Sequence, residues 1–123
     1  MPLVLVFHSL RMVNDPKLSG KFLKLVDELP AYTAAMLTAP SNPDAILTPE
    51  DIEVKVRKND SFDRNSKDVE VYIWASDFPE RKCDLSSRCN ALRHWVRGCF
   101  EGKSVCGFVY ILLAPAAFCE FST

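Results

Sequence analysis

The chain has 123 residues, 48% of them hydrophobic and 25% charged. That is the composition and length of one globular domain, which argues against fibrous repeats and a disordered chain, and needs no metal or disulfide staple to build a core. Fifteen basic residues against sixteen acidic ones give a net charge of −1. With no basic excess to meet a phosphate backbone, nucleic acid is not an expected partner.

Residues 3–7, Leu-Val-Leu-Val-Phe, form an apolar, β-favouring run that reads as a strand buried on both faces. The polar patch 11–17 follows. Within it Asn14-Asp15-Pro16 signals a helix start, and Leu18, Phe22, Leu25 and Leu29 recur at helical spacing. Pro30 is expected to kink or end that helix, because a mid-helix proline loses a hydrogen bond at a cost of ~3 kcal/mol. Residues 32–37 resume it, and 40–44 (Pro-Ser-Asn-Pro-Asp) is a loop.

Thr48-Pro49-Glu50-Asp51 reads as a tight turn leading into 52–57, where apolar and charged residues alternate strictly, as in a strand with one face on the core. Residues 59–67 are polar and loop-like, and 69–74 alternates again. Asp84 is placed to cap a second helix whose Leu85, Cys89, Leu92, Val96, Cys99 and Phe100 share a face. Glu101-Gly102-Lys103 stops it, and 105–114 is a last apolar strand. The order is strand, helix, strand, given twice. It predicts an α+β fold in which two βαβ halves, about 1–67 and 68–123, build a four-stranded mixed sheet with two helices on one face. Two helices cover one face only, while the first and last strands are apolar on both. Burial of the other face by further copies of the chain is therefore expected.

The five cysteines, at 83, 89, 99, 106 and 119, contain no C-x-x-C and are not flanked by His8 or His94 at zinc spacing. They read as reduced thiols, with no metal or cofactor implied. The opening residues carry no basic leader, and the apolar run 105–118 is shorter than the ~20 residues a bilayer span takes. A soluble, cytoplasmic protein with no membrane partner is expected.

Met1-Pro2 leading straight into an apolar strand, Ile52-Glu53-Val54 after a turn, Val69-Glu70-Val71, and the closing Phe108-Val109-Tyr110-Ile111-Leu112 together resemble the tautomerase superfamily, which includes 4-oxalocrotonate tautomerase and macrophage migration inhibitory factor. The resemblance implies a two-layer (βαβ)2 unit, usually trimeric. It also implies an isomerase whose catalytic group is Pro2, freed by removal of Met1. As a secondary amine of lowered pKa, that nitrogen could take a proton from the carbon beside a carbonyl and return it elsewhere. While Met1 remains attached, the nitrogen is an amide and has no such chemistry. The implied substrate is a small α-keto or enol acid, and Arg11 stands within a residue of where the family carries a carboxylate-binding arginine. The family's second arginine has the acid Glu53 in its place.

Glu53, Lys55 and Arg57 on one strand, and Glu70, Tyr72 and Trp74 on the next, project from the sheet face opposite the helices. Glu53, Glu70 and Tyr72 are candidate substrate contacts. Cross-strand pairing is the plainer reading for the two acids, and packing for the tyrosine. Two other readings use the same elements. One is a catalytically silent trimeric binding module. The other is a ferredoxin-like binding domain, which gives Pro2 no role.

Overall fold

The computed structural model describes residues 2–115 and 119–123, Asp44 in its backbone only. Met1, and the end of the apolar run at 116–118, lie outside the described residues. Four strands form one sheet: β1 (Leu3–His8), β2 (Glu53–Lys58), β3 (Val69–Ser76) and β4 (Gly107–Ala114). Their order is β2-β1-β3-β4. β1 and β2 run parallel, as do β3 and β4, and the two pairs meet antiparallel between β1 and β3. In each pair the two strands are direct neighbours, whereas a ferredoxin-like split βαβ unit inserts another strand between them. The third sequence reading is excluded by that order.

The helices correct the expected fold. Among the described residues there are four: α1 (Arg11–Asn14), α2 (Pro16–Leu37), α3 (Pro79–Cys83) and α4 (Leu85–Cys99). The expected two-helix, trimeric (βαβ)2 tautomerase-like unit does not hold in that form. The sheet also stays open within the chain, since β2 and β4 each keep an unpaired edge. The extra helices are single turns fixed by tertiary contacts. In α1 the amides of Asn14 and Asp15 reach back to Leu10 and Arg11, and Met12 is driven fully into the core. In α3, Pro79 supplies the preset first-turn φ, and Arg81 is the residue that is buried.

α2 does not end at Pro30. It runs on to Leu37, because Thr33, Ala34 and Leu37 beyond the proline are buried, as are Leu18, Phe22, Leu25 and Leu29 before it. Burying a large aliphatic side chain is worth ~1.5–3 kcal/mol, so Leu29 and Leu37 together offset one missing hydrogen bond. Asp15 caps the helix, its carboxylate accepting the Lys17 amide at 2.9 Å. The turn before β2 is a 3₁₀ turn, Pro49–Asp51, with a capping box between Thr48 and Asp51.

Period-two alternation divides the sheet cleanly. Val4, Val6, Val71 and Ile73 are inaccessible on the helix-covered face. They sit in register with Val54, Val56, Val109 and Ile111. His8 is also on this face, buried against Phe22 with ring centroids 4.9 Å apart, and its Nδ1 donates to the Ser9 carbonyl at 2.8 Å. It is a satisfied core histidine. Tyr32 and Trp95 stack at 4.3 Å, joining α2 to α4.

Candidate functional site

Pro2 is buried immediately ahead of β1. Its carbonyl accepts the Glu53 amide at 3.2 Å, extending the ladder in which Leu3 lies opposite Glu53 on one side and Trp74 on the other. The residue therefore stands at the head of an interior strand. β3 runs antiparallel to β1, so its end at Ser76 lies at the Pro2 end of the sheet.

That end also holds a cation which the sequence reading missed. Arg81 is 1% exposed. Its Nε donates to the Leu37 carbonyl at 2.7 Å and its Nη1 to the Ser76 carbonyl at 2.9 Å. The guanidinium carbon lies 4.7 Å from the centre of the Phe78 ring. Among the described residues no carboxylate is paired with it. Burial, followed by the nearby charge of Arg88, pulls its pKa below the ordinary arginine value. Arg88 donates to the Met36 carbonyl, to that of Thr38 at 3.3 Å, and to Asp84 Oδ1 at 2.7 Å. The two arginines thus occupy the orphan carbonyls where α2 ends, the negative end of its dipole. In sequence, Pro79-Glu80-Arg81-Lys82 looks like any polar helix start, and nothing local marks Arg81 as buried.

Arg11 is at the other end of β1, beyond His8. Five residues separate Leu3 from His8, roughly 17 Å at ~3.3 Å per residue. Arg11 Nη1 is paired with Asp68 Oδ2 at 3.2 Å, so within one chain it does not meet Pro2. Asp68 joins three strand ends. It also accepts the Ser9 hydroxyl at 3.0 Å, the Cys106 amide at 3.2 Å and the Cys106 thiol at 3.5 Å. Burial works against its ionisation, yet the Cys106 and Ser9 hydrogen bonds and the Arg11 charge outweigh it and hold the carboxyl below its usual range.

The remaining candidates lie along the open face of the sheet. Glu53 adjoins Pro2 and is half-exposed, with Lys55 Nζ 3.3 Å away. Glu70, opposite Phe7 near the Arg11 end, is buried and accepts the Lys67 amide at 2.9 Å. Tyr72 is opposite Leu5, midway along the face, with its ring edge-on to Phe7 at 5.8 Å and to Phe108 at 5.4 Å. Burial first, then the neighbouring Glu70 carboxylate, raises the Tyr72 phenol above its ordinary pKa. Of the five predicted site residues, Pro2 and Glu53 are brought together at one end, and Glu70 and Tyr72 adjoin each other away from them. Glu70, Tyr72 and Arg11 are spread toward the far end.

The open face is apolar at its centre. Trp74 (47% exposed), Phe108 (37%), Tyr110 (49%) and Leu112 (41%) flank Tyr72, with Lys55 and Arg57 along β2. All five cysteines are free thiols: Cys83, Cys106 and Cys119 exposed, Cys89 and Cys99 half-buried. Among the described residues no three His, Cys, Asp or Glu side chains group closely enough to hold a metal ion. No helix there is long and apolar enough to cross a membrane. No protein-family model matches the chain, and no curated protein matches it.

Proposed function

We propose that the protein, in the form whose chain begins at Pro2, is a tautomerase-like enzyme acting on a small α-keto or enol acid, with the Pro2 nitrogen as the acid–base group. One observation carries this reading: Pro2 is buried and pinned by its carbonyl at the head of an interior strand, at the end of the sheet that holds the buried Arg81 cation. Burial disfavours the ammonium form, and a cation at the same end of the sheet acts in the same direction. A terminal amine, ordinarily ~7.7–8.0, is thereby pushed toward neutrality, where general acid–base catalysis works best. Glu53, whose amide is bonded to the Pro2 carbonyl, is the candidate to orient a water or the substrate's enol. Arg11 contributes nothing to this site from within the same chain.

The test is phenylpyruvate tautomerisation by protein whose intact mass shows loss of Met1. Pro2→Ala should cut turnover by ~10²–10⁴, the worth of a positioned general base. An unchanged rate, or no turnover above background in the processed wild type, would replace this reading with the second one, a silent binding module. The exposed aromatic row Trp74, Phe108 and Tyr110 favours that alternative. In either case we infer a homo-oligomer assembled through the open face, since so large an apolar surface seldom faces water. Light scattering that finds a monomer at micromolar concentration would remove the assembly.

A further inference from the structure

A cavity of about 770 Å³ lies between α4, β4 and the 101–106 connection, at the end of the sheet away from Pro2. It exists because the two helices pack unequally. α2 buries seven of its residues, whereas α4 buries only Leu92. Val96 and Val109 face each other across the gap half-covered, although both belong to the helix-covered side. The floor is apolar: Val69, Val96, Phe100, Val105 and Val109. Gly107 lies at its base, where any side chain would meet the Val69 carbonyl at 2.2 Å, so β4 cannot be filled in from that position.

The rim is cationic. Arg93, Arg97 and Lys103 line it, against one acid, Glu101. Arg93 is held by the Asn90 side-chain oxygen at 3.0 and 3.1 Å. Among the described residues the side chains of Arg97 and Lys103 have no ion-pair partner. Asp68, bonded to the lining residue Cys106, is already paired with Arg11.

We propose that this cavity is a binding site for an amphipathic monoanion, a carboxylate on a medium-length apolar body. The volume falls in the ~300–1,000 Å³ range of small-molecule sites. The apolar floor from Val105 to Val109 runs roughly 13 Å at ~3.3 Å per residue, the reach of a medium alkyl chain. Arg97 and Lys103 stand where its carboxylate would emerge. A polyanion such as a nucleotide fits poorly, because the carbonyl end of α4 opens on the same space and opposes each added negative charge. The site is independent of Pro2, so it stands or falls apart from the tautomerase reading.

The experiment is a titration of the isotopically labelled full chain with octanoate, followed by the backbone amide signals of Gly98, Gly102 and Gly107. Saturable shifts at these three positions are expected. The double variant Arg97→Ala/Lys103→Ala should weaken octanoate roughly five- to tenfold, as loss of two exposed charge contacts implies. Val109→Trp should abolish the binding by filling the floor. Wild-type affinity should also fall with added salt more steeply than that of the double variant. The proposal is overturned by any of three results: no saturation at millimolar octanoate, affinity indifferent to the double variant, or shifts that follow protein concentration instead of octanoate. The last would mean that a second copy of the chain fills the groove.

Discussion

Replacing Arg81 tests whether a buried cation bonded to backbone carbonyls holds the Pro2 end of the molecule together. Arg81→Ala removes the donors to the Leu37 and Ser76 carbonyls and the cation over Phe78. A buried acceptor left without a partner costs ~1–3 kcal/mol, which applies to the Leu37 carbonyl, since that of Ser76 keeps the Phe78 amide at 3.1 Å. The void left by a long buried side chain adds to this, and relief of the cation's desolvation subtracts from it. The net expectation is a loss of about 3–5 kcal/mol. A chain of this size has a total stability of roughly 6–18 kcal/mol, so the variant should still fold. Urea unfolding followed by circular dichroism should show the midpoint fall with little change in slope, and the melting temperature should drop by about 10–20 °C. Arg81→Met separates the contributions. It refills the volume and removes the desolvated charge while leaving the Leu37 carbonyl unpaired, so it should cost about half as much. If Arg81→Ala lies within about 1 kcal/mol of wild type, the Leu37 carbonyl has found another partner and Arg81 does not cap α2.

Gly107→Ala should cost about 2 kcal/mol or more in the same assay, because its Cβ would stand 2.2 Å from the Val69 backbone oxygen and β4 must move away from β3. Gly20→Ala, with nothing within 4 Å, should instead stabilise α2 by about 0.5–1 kcal/mol; equal effects at the two glycines would refute the close-approach reading. Asp68→Asn should cost about 1–3 kcal/mol at neutral pH, since it weakens the charge-assisted bonds from Arg11, Ser9 and Cys106. The folded-state pKa of Asp68 is depressed, so its contribution is complete above the unfolded carboxylate value of ~3.9 and is lost as pH falls through the folded value. The gap between wild type and variant should therefore close in acid, and a gap that persists at low pH would show that the charge was not responsible.

The strands were legible because their period is two and their burial is one-sided. Val54 and Val56, and Val69, Val71 and Ile73, alternate with polar or aromatic neighbours as the helix-covered face requires. The polar stretch 59–67 had no pattern and forms no regular element. Two kinds of feature stayed hidden. α1 and α3 are too short for a periodic signal, and each is set by one residue whose burial is a tertiary event, Met12 in one and Arg81 in the other. Pro30, expected to kink or end α2, does not end it, because Thr33, Ala34 and Leu37 beyond it are buried. The site suffered in the same way. The family resemblance made Arg11 a substrate contact beside Pro2, but the six residues of β1 carry the two to opposite ends. Arg81, 79 positions after Pro2 in the chain, is the arginine at the proline's end of the sheet.

The unequal packing of the two helices has a dynamic consequence. β1 and β3 are interior strands, with Val4, Val6, Val71 and Ile73 wholly inaccessible beneath α2. β4 is an edge strand in which only Ile111 is buried, and it is covered by a helix that buries only Leu92. Local opening needs less free energy where fewer apolar groups must be exposed, so the α4–β4 layer should open without the rest. Amide hydrogen exchange should then show Val4, Val6 and Val71 exchanging only through global unfolding. Val109 and Ile111 in β4, and Val96 in α4, should exchange faster by at least ~10-fold, which is about 1.4 kcal/mol less to open. Octanoate seated between α4 and β4 should slow those three and leave β1 unchanged, since a ligand stabilises only the states that bind it. Uniform protection across β1, β3 and β4 in the free protein would refute the two-layer stability argument, whatever the outcome for the ligand.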